Sequence, residues 1–249
     1  MFTVIGGQES RAGTTGFTPL AGVKDQHVRV DGDTIYIGAM NKLIGAFLAG
    51  GTKADEAYLD SPSLRRLCLL DMTPIEAAVN PTANESYMIH PMSPIALESN
   101  EGVKLYTQES DVDVEIRTGF IVIADDALAP VAGEMFTIQA NATITSIVGT
   151  WVNSALTFRQ TLPVGKYKLV GARCKAETGV AFRFVPIGES FRPGGLCVNA
   201  VGSKDPYVQR YGGMGEWCEF DQLTPPTVEL LAGTAAAQNP EFYLDLIKV

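Results

Sequence analysis

The sequence predicts a mainly β protein of the sandwich type, and three observations carry that prediction. Stretches of strand length, alternating or wholly apolar, recur along the chain; in the second half they come about every 8–15 residues with Gly/Pro turns between them, the rhythm of a sandwich or barrel. The 25 glycines and 14 prolines are spread through the 249 residues, as many turns between many short strands require. An apolar fraction of 46% against 19% charged residues fills a core and excludes a disordered chain.

In chain order, Phe2-Thr-Val-Ile5 reads as a strand ended by Gly6-Gly7. Residues 8–22 are polar and rich in Gly and Thr, and read as an arm that orders against a neighbouring molecule. A hairpin follows, with His27–Val30 and Asp33–Ile37 flanking Asp31-Gly32, a pair that tolerates the positive φ of a tight turn. Met40, Leu43, Ile44, Phe47 and Leu48 then fall at i, i+3, i+4, i+7 and i+8, which predicts a helix over 40–48 stopped by Gly50-Gly51. Further helix is expected over 64–79, from the apolar stretch Leu64–Leu70 and the capping box Thr73-Pro-Ile-Glu76. Val112, Val114 and Ile116 alternate with charged residues and predict a half-buried strand, whereas Gly119–Ala124 is apolar throughout, as in a strand covered on both faces.

The segment Asp125–Gly133 divides the chain into two expected sandwiches, 1–127 and 128–249. Beyond it, strands are expected at Met135–Ile138, Ala142–Trp151, Ala155–Gln160, Lys166–Cys174, Val180–Pro186, Gly195–Val201, Gly215–Phe220, Thr227–Leu231 and Phe242–Val249.

The formal charge of −9, with lysines and arginines scattered, argues against direct binding of nucleic acid, which needs a basic stripe to neutralise phosphate. Cys68, Cys174, Cys197 and Cys218 have no C-x-x-C spacing, and two histidines are too few for an ordinary zinc site; buried thiols in a reducing cytoplasm are expected. The opening residues lack the basic start and apolar run of a secretory signal, and no apolar stretch has the length of a membrane helix.

Each chemical motif has a plainer explanation. Gly45-x4-Gly50-Gly51-Thr52-Lys53 reverses the Lys-Thr order of a phosphate-binding loop and follows an expected helix, so it reads as a helix stop. Asp111, Asp113 and Glu115 form a row on one strand, whereas a hard cation needs oxygens converging from several segments. His27 and His90 have no nucleophile or carboxylate in a recognised pattern beside them. No catalytic residue, cofactor site or metal site is therefore expected. Tyr207, Tyr211 and Trp217, around a glycine-rich turn, are the candidate ligand or interface aromatics, with Phe220 nearby.

The β-rich halves, Leu162-Pro-Val-Gly-Lys-Tyr167 leading into a strand, Phe191-Arg-Pro-Gly-Gly195 and Pro225-Pro-Thr-Val-Glu229 resemble the jelly-roll coat proteins of icosahedral viruses, most of all the double jelly-roll major capsid proteins of tailless, membrane-containing phages. That resemblance implies a double jelly roll with short helices inserted in its first half. It implies a self-assembling capsid subunit, trimeric within a shell, made in the host cytoplasm and located in the virion. Other virion proteins would be its neighbours, with a membrane underneath and no enzymatic activity. The alternative reading is a β-sandwich carbohydrate- or receptor-binding module using Tyr211 or Trp217. A cupin-type enzyme is disfavoured by the shortage of histidines.

Overall fold

The computed structural model describes residues 1–12, 14–25, 28–49, 54–65, 70–72, 87–88, 91–109, 114–199 and 213–249. The first part of the chain contributes strands β1 (Phe2–Arg11), β2 (Thr14–Pro19), β3 (Arg29–Asp31), β4 (Thr34–Tyr36), β5 (Lys42–Ala49) and β6 (Ala54–Asp60). A single helical turn, α1 (Pro62–Arg65), precedes β7 (Leu70–Met72), β8 (Tyr87–Met88), β9 (Ile95–Ala96), β10 (Gly102–Glu109) and β11 (Glu115–Ala124). The second part contributes β12 (Met135–Asn141), β13 (Ile144–Thr145), β14 (Val152–Ser154), β15 (Thr157–Phe158), β16 (Lys166–Ala176) and β17 (Gly179–Val185). It ends with β18 (Gly194–Asn199), β19 (Cys218–Asp221), β20 (Thr227–Ala232), β21 (Ala237–Gln238) and β22 (Glu241–Lys248).

One strand order occurs twice. In the first part the sheets run β1-β11-β5-β8 and β4-β10-β6-β7, with β2 sharing the β4 position along β10. In the second, the corresponding paths are β12-β22-β16-β19 and β14-β20-β17-β18. Numbering the eight principal strands of each part from one to eight, both give 1-8-3-6 and 2-7-4-5, the two facing sheets of a jelly roll. In the second roll a parallel pairing of β16 with β18, Cys174 opposite Cys197, joins the two sheets along one side. The chain is thus a double jelly roll.

The rolls are stacked in four layers, and the sequence of β11 shows why. Its Ile121 and Ile123 point into a core shared with Leu59, Val103 and Leu105 of the facing sheet. Its Phe120 and Val122 point the other way, into a core continuous with Leu231, Phe182 and Trp217 of the second roll. The β1-β11-β5-β8 sheet is therefore buried on both faces, and the unbroken apolar run of Gly119–Ala124 reflects that.

The same double burial overturns the helix expected over 40–48. The segment is the strand β5, paired with β11 on one edge and with β8 and β9 on the other. A register shift, with Ile123 opposite Leu43 and Val122 opposite Gly45, leaves Ile44 as an extra bulged residue. Ile44 and Phe47 thereby share one core while Leu43 and Ala46 share the other, a spacing that imitates a helical face. Over 64–79, helix is limited among the described residues to α1, and Leu70–Met72 is strand, held by pairing to β6; Thr73–Glu76 lies outside the described residues.

Residues 8–12 and 14–22 are tied within their own chain, not left as an arm. Gln8–Arg11 continue β1 opposite Glu115–Thr118, and β2 pairs with β10. Gly6 and Gly7 do not end β1 but allow close layers: a Cβ on Gly6 would stand 2.7 Å from Leu231 Cδ2, and one on Gly7 3.2 Å from Leu105 Cδ1. The hairpin forms with Asp31 opposite Thr34 and Gly32 at φ 62°, so the two-residue turn is Gly32-Asp33, one position later than expected.

Candidate functional site at the junction of the two jelly rolls

The richest constellation of buried polar and aromatic side chains among the described residues lies where β1 meets the second roll. As the outermost strand of its sheet, β1 has one edge free of strand partners, and an open edge invites wrong pairing. Here it is capped. Val4 N donates to Arg192 O at 3.0 Å, Gln8 N to Ala21 O at 2.8 Å, and Gly6 O accepts from Val23 N at 2.8 Å. Further along, the Gln8 side-chain amide donates to Ala232 O at 2.6 Å and to Thr118 Oγ1, and its oxygen accepts from Gly149 N.

At the centre stands Arg183, on the middle strand β17, with its side chain 4% exposed. Its guanidinium bonds Glu229 at 2.6 Å, the Asp25 carboxylate and Val4 O at 3.0 Å, and lies 4.1 Å over the Trp151 ring. Buried charges are tolerated when paired and hydrogen-bonded, and Arg183 Nε and Nη1 are engaged in that way by groups from both rolls. Arg192 lines the same cavity of about 330 Å³ with Lys24, Trp151 and Asn153. Burial pulls its guanidinium below the ordinary value, with Glu229 acting in the opposite sense. The Arg183 guanidinium takes up carboxylates from both rolls, so the arrangement works as a clamp between them.

Trp217, a candidate ligand aromatic, is fully buried. Phe2 meets it edge-to-face at 5.2 Å, Phe182 stacks at 6.4 Å and Phe184 lies at 6.0 Å. A stacking platform needs an open ring face, and Trp217 has none; it joins the two rolls from within. Tyr207 and Tyr211 lie outside the described residues, as do His27, His90, Asp111, Asp113 and Lys53. Cys174, Cys197 and Cys218 are buried free thiols, and Cys68 lies outside. Among the described residues there is no group of three His, Cys, Asp or Glu placed to hold a metal ion.

Sequence reasoning did not find Arg183, Asp25 or Glu229. The one available signal was a charged residue, Arg183, inside the otherwise apolar Val180–Val185.

No family model matches the sequence, and no curated protein matches it. Among solved structures it is similar to the major capsid protein P2 from Bacteriophage PM2, at 9% identity and a TM-score of 0.25, over 100% of this chain and 98% of that one. At that score the fold assignment rests on strand pairing alone.

Proposed function

We propose that this chain is a structural virion protein, a self-assembling coat subunit whose work is done by surfaces and not by catalysis. A fold by itself hosts many functions, so the weight falls on one observation about how the repeats are stacked. The 1-8-3-6 sheet of the first roll lies against the 2-7-4-5 sheet of the second, a head-to-tail contact between two copies of one architecture. Such a contact leaves an unlike sheet face at each end of the stack, and heterologous contacts of this kind propagate until a ring closes. Closure at three copies gives six jelly rolls around an axis, the trimer we assign to the shell, with each roll (1–127 and 128–249) as one lobe.

The acidic chain suits a shell that does not grip nucleic acid directly. Exposed apolar side chains, Met135, Val164, Leu223 and Val249, gather at the end of the second roll where its first strand starts and its last strand finishes. We assign that end to a lipid surface beneath the shell.

Light scattering with electron microscopy of the purified protein tests the reading. Particles, or a species of about three times 26.7 kDa, are expected. A monomer at every concentration would overturn it and bring glycan-array binding forward.

A further inference from the structure

We propose that the two outermost sheet faces of the stack bind each other in successive copies: the aromatic face of β2, β6 and β10 docks on the cationic face of β16 and β22 of the next subunit. The inference rests on the self-assembly reading and names the surfaces it uses.

The first face carries a cluster of three rings from β2, β10 and β6. Phe17, 37% exposed, meets Tyr58 at 4.8 Å, and Tyr58 stacks on Tyr106 at 4.8 Å with an interplanar angle of 11°. Tyr58 and Tyr106 are direct cross-strand partners, and Pro19 stands opposite Tyr106. Tyr58 and Tyr106 each spend one ring face on the other, and Phe17 stands edge-on to Tyr58. A sugar stacks on an open ring face, so this geometry favours a protein partner over a glycan. Aromatic residues of this kind are enriched in protein interfaces.

The second face is set by alternation along β16. Tyr167, Leu169, Ala172 and Cys174 point into the core, leaving Lys166, Lys168, Arg173 and Lys175 on the outside. Lys166 and Lys168 are paired, to Glu219 at 3.4 Å and to Glu216 at 2.8 Å. Arg173 lies 4.5 Å over the ring of Tyr243, whose hydroxyl donates to Glu241 at 3.0 Å. Lys175 has no ion-pair partner among the described residues. Arg173, already seated over one aromatic ring, and Lys175 beside it offer cations that complement the further rings of the first face.

The contact class is the one already used inside the chain, where the first roll's 1-8-3-6 sheet packs on the second roll's 2-7-4-5 sheet. The composition differs as the role requires. The internal contact, between covalently joined rolls, is closed, with Gly6 against Leu231 and Trp151 and its charges paired around Arg183; the outer faces, wetted before assembly, are aromatic and charged. With strands about 4.8 Å apart and about 3.3 Å per residue, the whole four-strand outer sheets that carry these patches offer on the order of 500 Å² each, so over two partners the contact reaches about 1,000 Å², the lower end for a specific contact.

Two variants and their mixture test the proposal. Tyr58→Arg with Tyr106→Arg blocks the first face; Arg173→Ala with Lys175→Ala strips the second. Light scattering is expected to find the native chain trimeric and each variant monomeric, its association weakened at least tenfold. A 1:1 mixture is expected to stop at a dimer, because each molecule retains only one working face. Tyr58→Phe with Tyr106→Phe keeps the ring stack and is expected to associate like the native chain. If the first variant does not fold, the second decides alone, since it alters only outward-facing side chains. A native trimer with both variants still trimeric overturns the face assignment and leaves the assembly reading standing. Variants that self-associate through their remaining face reveal a two-fold contact and overturn it too. A monomeric native chain overturns both.

Discussion

Phe2 and Trp217, 215 positions apart, meet edge-to-face with ring centroids 5.2 Å apart, and this contact closes the first jelly roll onto the second. Both side chains are fully buried, and the core that holds them runs without a break from Phe120 and Val122 to Phe242 and Leu244. Phe2→Ala is expected to cost about 3–5 kcal/mol, the range for emptying a buried aromatic site. Because the core is shared, both rolls should unfold together. Calorimetry that resolved two transitions, only one of them shifted by the substitution, would count against a shared core.

Arg183 answers two carboxylates, one from each roll. Arg183→Met removes the buried guanidinium that Asp25 and Glu229 share, and a loss of about 3–5 kcal/mol is expected. Adding Asp25→Leu to Arg183→Met should recover part of it, since one of the two carboxylates leaves with the guanidinium. Urea denaturation of both single variants and the double measures the coupling; simple additivity would refute the clamp.

Glu101 contributes to the acid sensitivity of the first roll. Burial by itself would raise its pKa, but hydrogen bonds from Ser63 Oγ at 2.6 Å, Ser63 N and Glu98 N at 2.9 Å outweigh that, and the net shift is downward. A carboxylate depressed in the folded state adds stability above its unfolded value, near the ordinary 4.5, and that stability is lost as the pH falls through the lower folded value. Glu101→Gln should lower the urea midpoint at pH 7 and flatten its decline below about pH 4.5. An unchanged slope would contradict this.

The buried thiols set an alkaline limit. Burial raises Cys174 well above its ordinary value, with Cys197 adding to the effect, and burial pushes Cys218 up to about 12. A group held neutral by folding stabilises below its unfolded pKa, ordinarily 9.0, and the contribution fades as the pH climbs towards the folded value. At pH 8, Cys174, Cys197 and Cys218 should resist a thiol reagent until denaturant is added. Labelling read by mass spectrometry checks each one.

Gly194 begins β18 opposite Arg183. A Cβ there would press into Phe182 O and stand 2.6 Å from Arg183 Cα, both backbone atoms that cannot swing aside. Gly194→Ala should therefore part β18 from β17 and cost several times the roughly 1 kcal/mol typical of a substitution. Near-native melting would show that the strands can separate cheaply.

Much of the second roll was legible in the sequence because the strands of its outer sheet have one dry and one wet face. Lys166–Cys174 and Phe242–Val249 alternate, and their turns carry Gly or Pro. The first roll was harder to read. Its middle layer is covered on both sides, so β5 lost its alternation, and the bulge at Ile44 supplied a false helical period. Gln8–Arg11 and Thr14–Pro19 looked like an arm because their backbone pairing carries no side-chain signature. Trp217 stood out among glycines as a surface aromatic, yet nothing local recorded that Phe2 and Phe182 would cover it.

The sequence by itself determined that the chain is mainly β, that its core is large and that its net charge is acidic, because composition and strand-scale periodicity are local properties. Only the tertiary structure decided that the same eight-strand order occurs twice, that the rolls stack in four layers, and that Arg183 links them through Asp25 and Glu229. Strand order and layer stacking depend on pairings such as Phe2 with Ala124 and Met135 with Ile247, more than a hundred residues apart. Side-chain period tells a strand which faces are dry but not which partner covers them.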